Sequence, residues 1–204
     1  MNGRFRGTLL VAVVAFALSG CVGPAAPPDM FYRIEPAPPA SRFATPPLPG
    51  VLEVERLSAD GVVAERALAF AAKEGGPLGH YKYEYWSEPP GVLLQDRLSR
   101  HLAAAGAADR VVTPDIGVLA DWTLRGKVRR FEQLAATGQV AVELQLSVIS
   151  RSGELVLLES YGVQVPAGSD KIEAAAAAIE RGVSEVFTRF VADLGRLRTG
   201  KSAQ

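Results

Sequence analysis

The chain has 204 residues, of which 48% are hydrophobic and 22% are charged. This length is enough for one ordinary domain and hardly for two, and the composition is that of a folded globular protein. The formal net charge is zero, from 22 basic and 22 acidic residues. Charge therefore gives no reason to propose a nucleic-acid partner, which binds a basic protein face.

The first twenty residues have the three parts of a secretion signal. A short basic region precedes an unbroken apolar run over residues 9–18, and Ser19 and Gly20 then supply the small residues that a signal peptidase requires. The apolar run is shorter than the roughly 20 residues that cross a bilayer. We therefore predict that residues 1–20 are a cleaved signal peptide, with an uncleaved anchor helix as the alternative.

Cys21 is the only cysteine in the sequence, so no disulfide can form within the chain. A lone thiol in an exported protein is open to oxidation and cross-linking. The sequence Leu18-Ser19-Gly20-Cys21 resembles the bacterial lipobox, in which the thiol is acylated and cleavage falls immediately before it. The resemblance predicts a lipid on Cys21, with a chance free cysteine as the alternative. Position 22 is Val rather than Asp, and by the same resemblance this implies transfer to the outer membrane.

Residues 22–50 contain nine of the 14 prolines. Proline fixes φ and has no amide donor, so this stretch cannot form regular paired structure throughout. We predict that residues 21–50 are the lipidated cysteine and a semi-extended tether, with a short edge strand at the apolar island near 30–35. If that strand forms, the free tether is only residues 22–29, at most roughly 25 Å as polyproline.

Strand and helix patterns alternate after the tether, and they predict one domain over residues 51–198 followed by a tail at 199–204. The strand patterns have alternating or continuous apolar residues. The last two of them flank a turn at residues 150–153 and predict a hairpin. Strands are predicted at residues 51–57, 67–72, 80–86, 111–114, 122–129, 140–148 and 155–165.

Two helices are predicted. The first begins at the proline pair after Glu88, because proline is tolerated in a first turn, and it ends at Gly106. The second begins near Asp170, and its long apolar stripe covers a sheet or meets a neighbouring subunit. This order predicts an α/β fold: a single domain with a mixed β-sheet packed by a mid-chain helix and a long C-terminal helix.

The sequence gives no positive case for an enzyme. His80 lies in an aromatic strand and His101 lies on a leucine-bearing helix face, which is more typical of packed or half-exposed histidines than of a base. No second cysteine or nearby histidine pair is present to hold zinc. We predict no catalytic residue, no metal site and no cofactor other than the covalent lipid on Cys21.

Two features have the composition of a binding surface. An aromatic cluster has large apolar faces with polar tips, which suit a protein partner or an acyl chain, although a strand packed under a helix shows the same pattern. Its period-two spacing predicts that the three tyrosines share one face. A basic row suits acidic partners or lipid phosphates, or is an ordinary solvated strand face. The aromatic cluster is Tyr81, Tyr83, Tyr85 and Trp86, and the basic row is Arg125, Lys127, Arg129 and Arg130.

The lipobox, an early Phe31-Tyr32-Arg33-Ile34, the tyrosine strand leading into Trp86-Ser87-Glu88-Pro89-Pro90, and a helix with Leu94-Gln95-Asp96-Arg97-Leu98 follow one another in a characteristic order. Together they resemble the ABC-type transport auxiliary lipoproteins, the group that includes paraquat-inducible protein C. The order and spacing of the motifs carry the resemblance, which covers nearly the whole mature chain. Ser87 departs from the Trp-Ala-Glu that members usually show.

The resemblance implies an α/β sandwich with a mixed sheet. It also implies a lipoprotein on the periplasmic face of the outer membrane, serving an MCE-type lipid transport system. The expected partners are an MCE-domain protein, an ABC permease system and further copies of the chain in a ring. The alternatives are another envelope-assembly lipoprotein, of the pilotin or lipopolysaccharide-assembly type, and a lipid-anchored enzyme.

Overall fold

The computed structural model describes residues 26–201, and it describes side chains from residue 26 to residue 197. The predicted signal peptide, Cys21 and the last three residues of the predicted tail lie outside this part of the chain. In chain order the strands and α-helices are β1 (Met30–Tyr32), β2 (Leu48–Val54), β3 (Ser58–Ala59), β4 (Ala67–Ala71), β5 (Leu78–Trp86), α1 (Pro90–Ala105), β6 (Ala108–Val112), β7 (Trp122–Leu134), β8 (Gln139–Ser150), β9 (Leu155–Pro166) and α2 (Ile172–Lys201).

All nine strands of the described chain form one mixed sheet centred on β7. One edge of β7 pairs antiparallel with β8 along almost its full length, and β8 pairs antiparallel with β9. The other edge of β7 is shared by three short parallel strands in succession, β2, β3 and β4. Outside these lie β6, which pairs with β2, and β5 and β1, which continue from β4. The predicted hairpin is therefore confirmed as β8 and β9.

The two helices pack on the same face of this sheet, so the predicted α/β fold is confirmed. The helix α1 begins with Pro90 in its first turn and ends at Gly106, whose φ of 66° is left-handed as a C-terminal glycine cap allows. It packs on β6, β2 and β7, whereas α2 packs on β8 and β9. The predicted apolar stripe of α2 is buried, with Val183, Phe190 and Leu194 at 0% exposure.

The proline-rich segment is a strap across both helices. Residues 33–47, which we call the strap, have no regular structure, yet their backbone is hydrogen-bonded to the body of the domain. The Glu35 amide donates to Glu180 Oε2 at 2.8 Å, the Ala37 amide donates to Ser184 Oγ at 2.9 Å, and the Phe43 amide donates to the Ala105 carbonyl at 2.9 Å. The folded body thus begins at β1, before the predicted boundary at residue 51, which divides strand β2.

The free edge of β9 is partly closed by arginines of α2. Arg189 donates to the Gly162 carbonyl at 3.3 Å and Arg181 donates to the Pro166 carbonyl at 2.8 Å. An unpaired strand edge is a template for pairing with another chain, and positive side chains at the edge oppose that pairing. Addition of a second copy to this end of β9 would therefore have to displace both arginines.

Gly91 allows α1 to approach the chain that follows β2, and replacing it by alanine is expected to destabilise the protein. A Cβ at this position would lie 2.1 Å from the carbonyl oxygen of Leu57, so α1 would have to move. Overpacking of this kind costs about 1–3 kcal/mol, and sometimes more. Urea unfolding of the purified protein would measure the loss.

Gly162→Ala is the matched control, because the nearest atom to its added Cβ is 3.6 Å away on Glu143. That substitution is expected to leave the unfolding midpoint nearly unchanged. An equal midpoint for Gly91→Ala and for the unmodified protein would contradict the described approach of α1.

Candidate functional site

The aromatic cluster is divided between the two faces of the sheet. Opposite β4, strand β5 contains an irregularity: Ala67 pairs with Tyr85, but Ala69 pairs with His80. Four residues of β5 thus lie opposite the single residue between Ala67 and Ala69. The predicted common face for Tyr81, Tyr83 and Tyr85 is therefore wrong, because the irregularity interrupts the period-two alternation.

Tyr81 lies on the core side at one end of the sheet. Its ring centroid is 4.9 Å from that of Phe70, and its hydroxyl donates to Gln133 Oε1 at 2.6 Å. Burial, and secondarily the negative charge of Glu84, raise the pKa of the Tyr81 hydroxyl. Tyr81 is therefore engaged within the domain, as expected for a strand packed under a helix.

Trp86 belongs to the hydrophobic core. Its side chain is 1% exposed, and its ring packs against Phe131 at 5.1 Å and against Tyr32 at 6.5 Å between centroids. The residue thus faces the core rather than solvent, and its predicted contact with a partner or lipid stays a prediction. Contact through the tyrosines stays a prediction.

Tyr85 lies on the opposite side of the strand pair from Trp86. Strands β1 and β5 are parallel, with Phe31 beside Tyr85 and Tyr32 beside Trp86. The rings of Phe31 and Tyr85 stack with centroids 5.6 Å apart, while the hydroxyl of Tyr32 donates to Glu84 Oε2 at 2.7 Å. Burial and the Glu84 carboxylate raise the pKa of Tyr32 well above its usual range, so this hydroxyl stays a donor and holds β1 to β5.

An open groove of about 560 Å³ lies beside this pair of strands. The guanidinium carbon of Arg66 is 5.1 Å from the ring centroid of Phe31, and Arg66 Nε donates to the Trp86 carbonyl at 3.2 Å. Sequence reasoning missed the groove because Arg66 approaches β1 only through the pairing of β4 with β5 and of β5 with β1. Its lining residues are Phe31, Tyr32, Arg33, Arg66 and Ser87.

The basic row of β7 is engaged by neighbouring polar side chains. Every member of the row has a partner within the domain. The row lies on the solvent side of the sheet, which the helices do not cover. The hydrogen bond from Lys127 lowers the pKa of Asp60. The pairs are Arg125 with Glu55, Lys127 with Asp60, Arg129 with Gln145, and Arg130 with Glu74 and Glu132.

The two histidines differ in environment. His80 is half-exposed and lies 3.5 Å from a Glu65 carboxylate oxygen. His101 is 5% exposed, its ring packs against Phe187 at 5.4 Å, and its Nε2 has no hydrogen-bond partner in the described part of the chain. Burial lowers the pKa of His101. A hydrogen bond with the backbone of Ala37 in the strap partly opposes this effect. Arg97 and Arg100 line a small cavity together with His101 and prolines of the strap.

We expect His101 to make the domain less stable in mild acid. Because its pKa is lower in the folded state than in the unfolded state, the unfolded state binds more protons below about pH 6.5. The contribution of neutral His101 to the free energy of unfolding is therefore complete above that pH. It is lost as the pH falls toward the lowered pKa of the folded state. Each tenfold reduction in the proton affinity of the folded state corresponds to about 1.4 kcal/mol. Thermal unfolding at a series of pH values measures the loss.

The variant His101→Leu should unfold with a shallower pH dependence below about pH 6.5 than the unmodified protein. Parallel pH profiles for His101→Leu and the unmodified protein would show that His101 is not the titrating group.

Over the described residues, no group of three or more His, Cys, Asp or Glu side chains is placed to hold a metal ion. Neither α-helix in that part of the chain combines the length and apolar character that a membrane span needs.

The fold is similar to that of solved structures. Protein XCC0632 from Xanthomonas campestris, a DUF330 protein, has a TM-score of 0.72 at 22% identity, covering 86% of this chain and 100% of that one. An uncharacterized protein has a TM-score of 0.65 at 14% identity, covering 82% of this chain and 99% of that one. At these identities the likeness concerns the fold alone. None of the curated proteins compared with the chain matches it significantly.

A protein-family model, described as the ABC-type transport auxiliary lipoprotein component, matches residues 32–191. The match runs from the last residue of β1 into the second half of α2 and so includes the strap, the rest of the sheet and α1. The members of this family are described as auxiliary transport components, and the family is not a known family of enzymes. The chain belongs to the ABC-type transport auxiliary lipoprotein family.

Proposed function

We infer that the protein is a lipid-anchored, periplasm-facing auxiliary component of an MCE-type lipid transport system, docking the transport machinery at the outer membrane. The observation that carries this proposal is the family match over residues 32–191, which spans the folded body. The lipobox at Cys21 and the non-Asp residue at Val22 support the attachment and the choice of membrane.

The geometry of the N-terminus fits such an anchor. Eight residues, 22–29, separate Cys21 from β1, and they reach at most roughly 25 Å when extended as polyproline. Strand β1 is held by pairing with β5 and by the Tyr32–Glu84 hydrogen bond, while the strap that follows is bonded to both helices. The body is thus tied close to the site of acylation.

Co-purification from cross-linked envelopes tests the transport role. An affinity-tagged protein expressed at native level is expected to recover an MCE-domain protein and components of an ABC permease. Tagged Cys21→Ser is the matched control, because it retains the folded body while lacking the acylated residue, and it should recover less of these partners. Recovery of a secretin or of lipopolysaccharide-assembly proteins, without an MCE or permease component, would contradict the proposal.

A further inference from the structure

We propose that the groove beside β1 rests on the membrane leaflet that holds the acyl anchor and accepts a phospholipid headgroup phosphate. The partner is thus a lipid surface, and the contact sets the orientation of the domain on that surface. This inference rests on the proposed lipid attachment at Cys21, and its test is chosen to separate the two.

The length of the tether brings this edge of the domain to the membrane. Residues 22–29 reach at most roughly 25 Å, and the first residue after them that pairs with the sheet is Met30. Strand β1 flanks β5 and β4, which lie beside the C-terminal half of β7. The N-terminal end of β7, by contrast, is at the other end of that strand from its pairing with β4.

The exposed side chains at β1 suit the interface between headgroups and acyl chains. Met30 is 44% exposed and Phe31 is 55% exposed, and Tyr85 stacks on Phe31 from the neighbouring strand. Aromatic residues with one apolar face and one polar tip are enriched at this depth of a bilayer. A lipid surface would remove these apolar groups from water.

The charges of the groove suit a phosphate. Among the described residues, neither Arg33 nor Arg66 forms an ion pair with a carboxylate. The carboxylates nearest to them in the sequence lie elsewhere, since Glu35 pairs with Arg97 and Glu65 is beside His80. A guanidinium presents a planar set of donors that matches phosphate oxygens, often in pairs. Ser87 lines the same groove. The guanidiniums of Arg125 and Arg130, in contrast, are already engaged by carboxylates.

Site-directed spin labelling tests the contact on the full-length acylated protein. If Cys21 is acylated, a cysteine introduced elsewhere is the only free thiol. Met30→Cys is labelled with a nitroxide and reconstituted in vesicles of phosphatidylethanolamine and phosphatidylglycerol. Leu119→Cys is the control, because Leu119 is 74% exposed and precedes the N-terminal end of β7.

For each label, the measured quantity is the ratio of its collisions with oxygen to its collisions with a water-soluble nickel chelate. This ratio is expected to be several-fold higher at residue 30 than at residue 119. Adding Arg33→Glu to Met30→Cys should reduce that ratio, since Arg33 is exposed and its replacement leaves the core intact. Arg110→Glu, at an exposed position on the opposite edge strand β6, should not reduce it.

Vesicle flotation separates the two claims. Protein that does not float with the vesicles shows that the lipid anchor itself has failed. Protein that floats, with residue 30 as accessible to nickel as residue 119, overturns the headgroup contact alone. A nickel-accessible label that responds to added inorganic phosphate also overturns it, because the groove would then bind the free anion rather than the membrane.

Discussion

Replacing Cys21 by serine is expected to abolish incorporation of radiolabelled palmitate into the protein and to leave residues 1–20 attached. Acylation requires the thiol, and the proposed cleavage occurs immediately before the acylated residue. The acyl chains stabilise membrane attachment by about 0.8 kcal/mol for each buried methylene. Their loss should therefore also remove the protein from the membrane fraction that holds the acylated form. Labelling and gel mobility of the immunoprecipitated protein measure both effects.

Ser19→Ala is the control for this experiment, because it changes the lipobox while keeping a small side chain before the cleavage position. It should retain palmitate and the mobility of the mature chain. Palmitate that persists in the Cys21→Ser variant would contradict acylation at Cys21.

Truncating the central aromatic residue, Trp86→Ala, is expected to destabilise the domain by about 3–5 kcal/mol. The indole is almost fully buried and packs against Phe131 of β7 and Tyr32 of β1. Its removal leaves a cavity at the place where β1, β5 and β7 meet. The midpoint of urea unfolding of the purified protein, compared at equal slope, measures the loss.

Tyr85→Ala is the matched control for the tryptophan, one residue earlier on the same strand but on its partly exposed side. It should cost about 1 kcal/mol or less, as is usual for surface positions. Similar losses for the two variants would contradict the described orientation of β5.

Local pattern predicts much of this fold. The alternating residues of β7, β8 and β9 mark one buried face and one solvated face, and the turn after Ser150 fixes the β8–β9 hairpin. Proline at the start of α1, glycine at its end and the long apolar stripe of α2 are equally local signals. These features depend on neighbours in the sequence, so the sequence alone reveals them.

Long-range pairing accounts for what local pattern does not reveal. Nothing in the sequence of β7 indicates that one of its edges holds three separate strands, because hydrogen-bond partners are not encoded by side-chain alternation. The irregularity opposite Leu68 likewise divides tyrosines that a uniform strand would place together. The strap is ordered by groups of α1 and α2, such as the side chains of Glu180 and Ser184, which lie far away in the sequence.

The same distinction applies to the candidate sites. Cys21 is recognisable because the lipobox is a continuous motif, whereas the groove at β1 combines Phe31 with Arg66 and Ser87 from separate segments. The basic row is visible in sequence, but its carboxylate partners come from other segments, such as Glu55 and Asp60. Only the fold shows that, among the described residues, the arginines of the groove lack such carboxylate partners.

The most direct test of the account is the intact mass of the protein extracted from membranes, followed by sequencing of its N-terminal peptide. The account predicts a chain that begins at Cys21 and carries the added mass of several acyl chains on that residue. A chain that retains residues 1–20, or one with an unmodified Cys21, would contradict it.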